Sequence, residues 1–221
     1  MSVTYPRVRP AGESMLVVEF EPVIDVAVNA RVTGLARELA DADMPGLRDI
    51  VPTFRSLAVF FDPLRTDTAA LGAWIDRALA SSEARAADVG PLVRIPVWYG
   101  GEWGPDLVDV AARCGCTPAE VVARHAGREY HVFMMGFVPG FAYLGTVDER
   151  IHVPRRATPR TRVPAGSVAI AGPQTGVYPI ETPGGWNIIG RTEAVMFDRD
   201  REAPFLLTPG ARVRFDAIEV P

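Results

Sequence analysis

The chain has 221 residues, of which 48% are hydrophobic and 23% are charged, so it is long enough for one large domain or two small ones. Its formal net charge of −4 argues against a general role at nucleic acids or membrane surfaces. All 23 basic residues are arginines, which excludes a Schiff-base lysine and a phosphate-binding loop of the type G-x-x-x-x-G-K-[ST] in this sequence.

The cysteine content and the absence of targeting features point to a reducing compartment. Cys114 and Cys116 are one residue apart and have no second pair that would complete a zinc site, so both are expected to be free thiols. The N-terminus lacks the basic start and apolar core of a signal peptide, and no apolar run reaches membrane-spanning length. The sequence therefore predicts a cytoplasmic protein.

The first 95 residues alternate between strand and helix patterns. Residues 1–14 form a polar lead-in. Apolar residues at three- and four-residue steps predict helices over residues 26–40 and 68–86. Four segments are predicted strands: 15–20, 47–53, 57–61 and 91–99. The order β-α-β-β-α-β is that of a ferredoxin-like α/β domain, with helices on one face of an antiparallel sheet, over residues 1–95.

Residues 96–221 have a different pattern. Two short helices are predicted over residues 106–114 and 117–125, the second beginning with a capping box. Residues 130–137 form an aromatic-rich strand, and no helical pattern follows it. Four further apolar pieces are separated by turn residues: 168–171, 186–189, 195–197 and 213–215. This spacing predicts an all-β barrel or sandwich, and an α+β chain overall.

Residues 136–190 stand out as the candidate functional region. These 55 residues contain 9 glycines and 7 prolines, too many for helices. They also contain several large aromatic side chains, which is atypical of a disordered linker. We therefore expect an ordered β-rich region whose turns have demanding backbone geometry.

An arginine cluster lies within this region. Five arginines occur between residues 150 and 162, and no acidic residue lies between Glu149 and Glu181. Guanidinium groups bind carboxylates and phosphates in two-pronged geometry, so Arg155 and Arg160 are candidate anion-binding residues. The alternative is that these arginines are solvated or pair with acids elsewhere in the chain.

Two glycine-rich turns and a polar set are further candidates. The turns at residues 136–141 and 184–186 can bring backbone N–H groups close to a ligand, although turn geometry alone also explains the glycines. Gln174, Thr175 and Tyr178 lie between glycines and prolines. They either orient an amide- or carboxylate-bearing ligand or make turn hydrogen bonds.

The histidines lack the spacing of a metal site. His125, His131 and His152 form no H-E-x-x-H pair, so no metal site is predicted. His125 precedes the glycine-aromatic region and is the candidate general acid or base, with a structural histidine as the alternative. Ser167 lies in A-G-S-V-A, not in a nucleophile elbow, and is expected to be an ordinary strand residue.

The motifs, taken in order, resemble one known family. They are Y-G-G-E-W-G-P-D-L at 99–107, G-F-V-P-G-F-A-Y-L at 136–144, P-R-R-A-T-P-R at 154–160, Q-T-G-V-Y-P at 174–179, T-P-G-G-W at 182–186 and I-G-R-T at 189–192. This set resembles the KipI-type family, also called allophanate hydrolase subunit 1 or the B subunit of bacterial 5-oxoprolinase. The resemblance extends over essentially the whole chain.

The resemblance implies an architecture, an activity and partners. The family has an N-terminal α/β domain followed by a cyclophilin-like β-barrel, here residues 1–95 and 96–221. Its members work with a homologous second subunit of the KipA or allophanate hydrolase subunit 2 type. In the oxoprolinase, a third subunit of the LamB/YcsF type joins them, and the complex uses ATP to open 5-oxo-L-proline to L-glutamate. ATP is then expected in this chain or at its partner.

The chemistry of this reaction, in which negative charge develops on the amide, suggests roles for the candidate residues. His125 and Arg160 are the catalytic candidates, for proton transfer and for an anion contact. The substrate-binding candidates are Arg155, Gln174, Tyr178, Trp186, Arg191, Phe137 and Phe141. Together they are expected to form the wall of a barrel pocket with an arginine-rich rim.

Two other functions are compatible with the same family resemblance. One is a carboxyltransferase or allophanate-type activity, as in the related modules of urea carboxylase. That activity needs biotin on a carrier elsewhere, because this chain has no lysine to hold it. The other is inhibition of a histidine kinase, as one member of the family does. Prolyl isomerase activity is not inferred, because a fold does not determine a function.

Overall fold

The computed structural model describes residues 4–42, 44–82 and 90–219. The chain divides into a first unit, residues 1–89, and a second unit, residues 90–221. Each unit has a hydrophobic core of its own, and each is described separately below.

The first unit contains a four-stranded antiparallel sheet and two helices. Its elements are β1 (Arg7–Pro10), β2 (Met15–Glu19), α1 (Val26–Asp41), β3 (Leu47–Pro52), β4 (Ser56–Phe61) and α2 (Thr68–Ser82). The strand order is β1-β2-β4-β3. Helix α1 begins after Asp25, whose carboxylate accepts a hydrogen bond from the Ala27 N–H at 2.8 Å. The core contains the apolar side chains of both helices and of the sheet, including Leu35 and Leu57.

The ferredoxin-like order predicted for residues 1–95 is not confirmed. Strand β1 lies in the segment predicted to be a lead-in and forms a hairpin with β2 across Gly12, whose φ is +81°. The strand predicted at residues 91–99 pairs with strands of the second unit and not with this sheet. The alternation of apolar and polar residues identifies a strand, but it does not show which sheet the strand joins. Residues 83–86 of the second predicted helix lie outside the described residues.

The second unit is built largely from short strands. Its elements are β5 (Leu92–Tyr99), α3 (Leu107–Arg113), α4 (Pro118–Ala126), β6 (Glu129–Met135), β7 (Ala142–Gly145), a 3-10 turn (Glu149–Ile151), β8 (Arg160–Val163), β9 (Ser167–Ala171), β10 (Gln174–Val177), β11 (Thr182–Gly184), β12 (Asn187–Arg191) and β13 (Arg212–Ala217). The capping box predicted for α4 is confirmed: Thr117 Oγ1 accepts from the Glu120 N–H, and the Glu120 carboxylate accepts from the Thr117 N–H.

Seven of these strands close into a barrel, as the spacing of apolar pieces and turns indicates. The order around the barrel is β10-β7-β6-β13-β5-β12-β9, and all neighbours are antiparallel except β5 and β13. Strands β8 and β11 form a separate two-stranded ribbon. Alternate side chains from every barrel strand share one buried core, so the interior is filled with apolar groups such as Leu144 and Ile170. Among the described residues, no helix is both long and apolar enough to cross a membrane.

Candidate functional site

An aromatic cluster lies on the outer face of the barrel, where the sequence predicted a pocket wall. On β7, Ala142 and Leu144 belong to the interior core, whereas Phe141 before the strand and Tyr143 within it belong to a second apolar cluster. The ring of Phe141 meets that of Tyr178 edge to face at 5.4 Å. Apolar side chains of the interior core fill the barrel, and these residues belong to a cluster outside that core.

Trp186 and the β8–β11 ribbon complete this outer cluster. Trp186 packs edge to face on Phe141 at 5.5 Å, and Val163 of β8 is buried in the same cluster. Gly184 of β11 lies directly against the Tyr178 ring, and a Cβ at this position would overlap the Tyr178 hydroxyl. The glycine-rich turn at 184–186 thus serves close packing of backbone on an aromatic ring.

The Tyr178 hydroxyl lies where the aromatic cluster meets the arginine segment. Burial raises the pKa of Tyr178, while a hydrogen bond with the Trp186 backbone and the nearby Arg155 guanidinium act in the opposite direction. Tyr178 therefore remains a neutral hydroxyl at physiological pH. Arg155 itself is exposed and makes no salt bridge with any described residue. The guanidinium of Arg155 can therefore bind an anion beside the aromatic cluster.

The neighbouring arginines are engaged by a buried acid. Asp106 Oδ1 accepts a hydrogen bond from Arg156 Nη1 at 2.7 Å, and Arg160 forms a two-pronged pair with Oδ1 and Oδ2 at 2.8 Å each. Asp106 Oδ2 also accepts from the Ile188 N–H of β12 at 2.7 Å. The side chain of Asp106 is only 5% exposed. Arg156 and Arg160 therefore pair with an acid from elsewhere in the chain, which was one of the two alternatives that the sequence left open.

The electrostatics of Asp106 favour its ionised form. Burial on its own raises the pKa of this carboxyl, but the hydrogen bonds from Arg160 and the Ile188 N–H and the charge of Arg156 outweigh it, and the pKa is lowered overall. Sequence reasoning missed Asp106. The signal in the sequence was an acidic residue directly before the helix α3. In the structure the side chain of Asp106 caps no N–H of that helix and binds the arginines instead.

Phe137 has an unusual backbone conformation for a large side chain. Its φ is +67°, a left-handed value that costs a non-glycine residue about 1–2 kcal/mol. The turn is closed by the Gly136 N–H, which donates to the Phe141 carbonyl at 3.1 Å, and the Phe137 ring packs edge to face on Phe141 at 5.5 Å. Such strain in an exposed aromatic residue suggests a functional constraint.

His125 is fully buried and engaged at both ring nitrogens. Its Nδ1 lies 2.7 Å from the Tyr99 hydroxyl, and its Nε2 lies 2.8 Å from Thr175 Oγ1. Because the Thr175 hydroxyl donates to the Ala169 carbonyl, Nε2 carries the hydrogen and Tyr99 donates to Nδ1. Burial lowers the pKa of His125 to about 3. These contacts favour a neutral structural histidine, stacked on Phe215, over a proton-transfer group.

The two remaining candidates lie elsewhere on the barrel. Gln174 begins β10 opposite Gly145, at the other end of β7 from Phe141. Arg191 lies on β12 with its guanidinium 5.4 Å from the centre of the Trp103 ring, a cation–π contact. The structure thus gathers four predicted site residues into one cluster, Phe137, Phe141, Tyr178 and Trp186, with Arg155 beside it.

Two further features of the second unit bear on the candidate site. No group of three or more potential ligands among His, Cys, Asp and Glu occurs within residues 4–42, 44–82 and 90–219. A cavity of about 340 Å³ opens instead between Arg128 and the turn at residues 146–150. It includes none of the predicted site residues. Within the aromatic cluster Phe137 is 58% exposed, whereas Phe141, Tyr178 and Trp186 are buried.

The sequence of the chain matches a known family and several known proteins. Residues 6–207 match the family model "Carboxyltransferase domain, subdomain C and D". The B subunit of the 5-oxoprolinase of Escherichia coli O157:H7 is 46% identical over 206 residues, which is 92% of this chain and 92% of that protein. The corresponding 5-oxoprolinase B subunit of Bacillus subtilis (strain 168) is 39% identical over 97% of this chain and 93% of that protein.

Solved structures show the same fold inside longer chains. The crystal structure of TTHA0988 superposes with a TM-score of 0.83 at 39% identity, over 94% of this chain and 40% of that chain. The Kluyveromyces lactis urea carboxylase superposes with a TM-score of 0.72 at 20% identity, over 96% of this chain and 22% of that chain, a likeness of fold alone. This chain thus spans less than half of TTHA0988.

Proposed function

Because the chain belongs to the family of the carboxyltransferase domain, subdomain C and D, we propose that it is the B subunit of an ATP-dependent 5-oxoprolinase. The observation that carries this proposal is the 46% identity to the E. coli relative over 92% of both chains. The reaction is the opening of 5-oxo-L-proline to L-glutamate with hydrolysis of ATP. The urea carboxylase is more distant, at 20% identity, and supports a carboxyltransferase activity less directly.

The chemistry of a lactam explains the need for ATP. An amide is a poor electrophile, and phosphorylation of its oxygen makes the carbonyl carbon easier for water to attack. The substrate carries a carboxylate, and negative charge develops on the reacting oxygen, so cationic groups and N–H donors stabilise both. In this chain the exposed guanidinium of Arg155 supplies the cation, and the buried rings of Tyr178 and Trp186 form the apolar support beside it.

We assign different roles to the two catalytic candidates. Arg160 is proposed as a positioning residue, because both prongs of its guanidinium bind Asp106 and not an open site. His125 is proposed as a structural residue of the barrel, because its ring is enclosed by Tyr99, Thr175 and Phe215. Proton transfer and ATP binding are then tasks shared with, or performed by, another subunit.

The similar proteins are named as B subunits, which supports activity in a complex. We propose that a homologous second subunit, of the allophanate hydrolase subunit 2 or KipA type, binds this chain, and that a LamB/YcsF-type subunit completes the enzyme in the cytoplasm. The barrel is then the cyclophilin-like domain of the family.

The test is product formation by the assembled complex. The chain is co-expressed with the second and third subunits, and 5-oxo-L-proline, allophanate and urea are supplied separately with ATP. We expect L-glutamate from 5-oxo-L-proline, with at most background turnover of the other two compounds. Turnover of allophanate or urea without L-glutamate formation would overturn the proposal in favour of the allophanate-type activity.

A further inference from the structure

The backbone on either side of Arg155 is held by hydrogen bonds, although Arg155 itself belongs to no helix or strand. On one side, the Pro154 carbonyl accepts a hydrogen bond from Asn187 Nδ2 at 2.9 Å. On the other side, the Arg156 N–H donates to the Gly185 carbonyl at 2.8 Å. The main chain of Arg155 is therefore fixed through both of its neighbours.

Asn187 is well placed to act as a rigid anchor. It is the first residue of β12, and it is only 1% exposed. Its Nδ2 also donates to the Ile170 carbonyl of β9 at 3.2 Å. Because both of these carbonyls are acceptors, the amide nitrogen must face them, and Oδ1 has no hydrogen-bond partner among the described residues. A buried acceptor without a partner costs stability, so the contribution of this amide is the two hydrogen bonds that it donates.

The strand β12 supports the segment from two directions. Asn187 acts on the residue before Arg155. The next residue, Ile188, donates its N–H to the Asp106 carboxylate at 2.7 Å, and that carboxylate binds the guanidinium of Arg156. Arg155 lies between these two anchors, and its own guanidinium is exposed and makes no salt bridge with any described residue.

A fixed main chain matters for a side chain as long as arginine. A two-pronged contact with a carboxylate has strict geometry, and a displacement of about 1 Å can reduce turnover by orders of magnitude. Ordering a free loop when the substrate binds also costs conformational entropy, which a loop that is already held in place does not lose.

We propose that Asn187 is a positioning residue, which fixes the main chain of Arg155 so that its guanidinium can bind the carboxylate of the substrate. This inference rests on the proposed function and adds to it a residue that the function alone does not identify. Asn187 acts through Arg155 and does not touch the substrate, because its side chain is buried and its Nδ2 donates to two carbonyls.

The first test measures how firmly the segment is held in the full, isolated chain. Trypsin cleaves after arginine, and mass spectrometry identifies cuts after Arg155 and Arg156. In Asn187→Ala we expect these cuts to form at least about fivefold faster than in the unaltered chain, because local opening exposes the backbone. The matched control is Ser167→Ala, which also removes a hydrogen bond from a buried side chain to a proline carbonyl, that of Pro164 at 2.7 Å. The control should be cut at these sites at the unaltered rate.

The second test measures kinetics in the assembled complex. We expect Asn187→Ala to raise KM for 5-oxo-L-proline about three- to tenfold, with a smaller change in kcat. In a chain that already carries Arg155→Gln, the same substitution should raise KM by less than about twofold, because Asn187 acts through Arg155. Ser167→Ala should leave KM unchanged.

The outcomes separate this inference from the proposed function. An unaltered rate of cleavage after Arg155 in folded Asn187→Ala would overturn the inference, and so would KM factors that multiply in the double variant. Faster cleavage with an unchanged KM would show that Asn187 is only structural, and would also overturn it. Absence of L-glutamate formation by the unaltered complex would instead contradict the proposed function, and this inference with it. If Asn187→Ala loses its circular dichroism spectrum, Asn187→Leu, which fills the space without a donor, takes its place in both tests.

Discussion

The carboxylate of Asp106 and the guanidinium of Arg160 form a two-pronged ion pair, with both oxygen–nitrogen distances at 2.8 Å. The same carboxylate binds Arg156 and the Ile188 N–H, so it joins the arginine segment to β12. Arg155 lies beside one of these anchored arginines, and its own guanidinium pairs with no acid among the described residues. We conclude that Asp106 positions the segment that presents Arg155.

Replacing Asp106 should reduce stability more than breaking an exposed ion pair. In Asp106→Asn, two partly buried guanidinium groups lose their counter-charge, and we expect the free energy of unfolding to fall by about 2–3 kcal/mol. The control is Arg162→Gln, whose pair with Glu181 is exposed and should contribute less than about 1 kcal/mol. Urea denaturation measures both. Equal losses would show that Asp106 does not anchor the segment.

The buried His125 should make the fold less stable in mild acid. Its pKa is about 3 in the folded chain and about 6.5 in the unfolded chain. Between these values the unfolded state binds the additional proton, so stability rises with pH and is lost as the pH falls from 6.5 towards 3. From pH 7.5 to pH 5 the loss from this group is about 2 kcal/mol.

The variant His125→Gln isolates this effect. Glutamine keeps hydrogen-bonding capacity but does not titrate, so its stability should decrease less than that of the unaltered chain over the same pH range. The measurement is the urea midpoint at pH 7.5, 6.5, 5.5 and 5.0. Parallel curves for the two proteins would mean that His125 is accessible to protons in the folded state.

Gly140 should tolerate no side chain. Alanine there meets the Phe197 Cβ at 2.6 Å and also adopts a φ of +85°. Gly172→Ala is the matched control, because its φ is +56° and nothing lies within 4 Å of the added Cβ. The control should lose about 1 kcal/mol from φ alone, and Gly140→Ala about 1–3 kcal/mol more from overpacking. Similar thermal unfolding of the two variants would refute the close contact.

Arg155 should matter for substrate affinity in the assembled enzyme. Arg155→Gln removes a charged hydrogen bond of about 1.5–3 kcal/mol, so KM for 5-oxo-L-proline should rise about tenfold or more with a smaller change in kcat. Arg155→Lys should recover part of the affinity, since it restores the charge without the two-pronged geometry. Arg113→Gln, at an exposed arginine of α3 that pairs with Asp109, should leave both constants unchanged. Normal kinetics of Arg155→Gln would exclude the carboxylate contact.

Local sequence patterns predicted several elements correctly. The capping box of α4 was visible as Thr117 and Glu120 three residues apart, because its hydrogen bonds are local. The barrel followed from short apolar pieces between turns. The membership of β5 could not be predicted in this way, since its partner β13 is more than a hundred residues away in the chain.

The candidate site was also predicted only in part, because local patterns do not reveal contacts between residues that are distant in the chain. Phe141 and Tyr178 do gather, because they flank β7 and β10, which are neighbours in the barrel. The role of Arg160 depends on Asp106, 54 residues earlier, which spacing alone does not reveal. For His125 a local signal existed: it lies four residues after the fully buried Val121, on the same face of α4.

We propose that this chain acts as part of an ATP-dependent enzyme for 5-oxoproline. The most direct measurement is ATP hydrolysis by the reconstituted complex, with and without 5-oxo-L-proline, and with this chain present or omitted. We expect hydrolysis that depends on the substrate and disappears when this chain is left out. Equal ATP hydrolysis with and without 5-oxo-L-proline would contradict the claim.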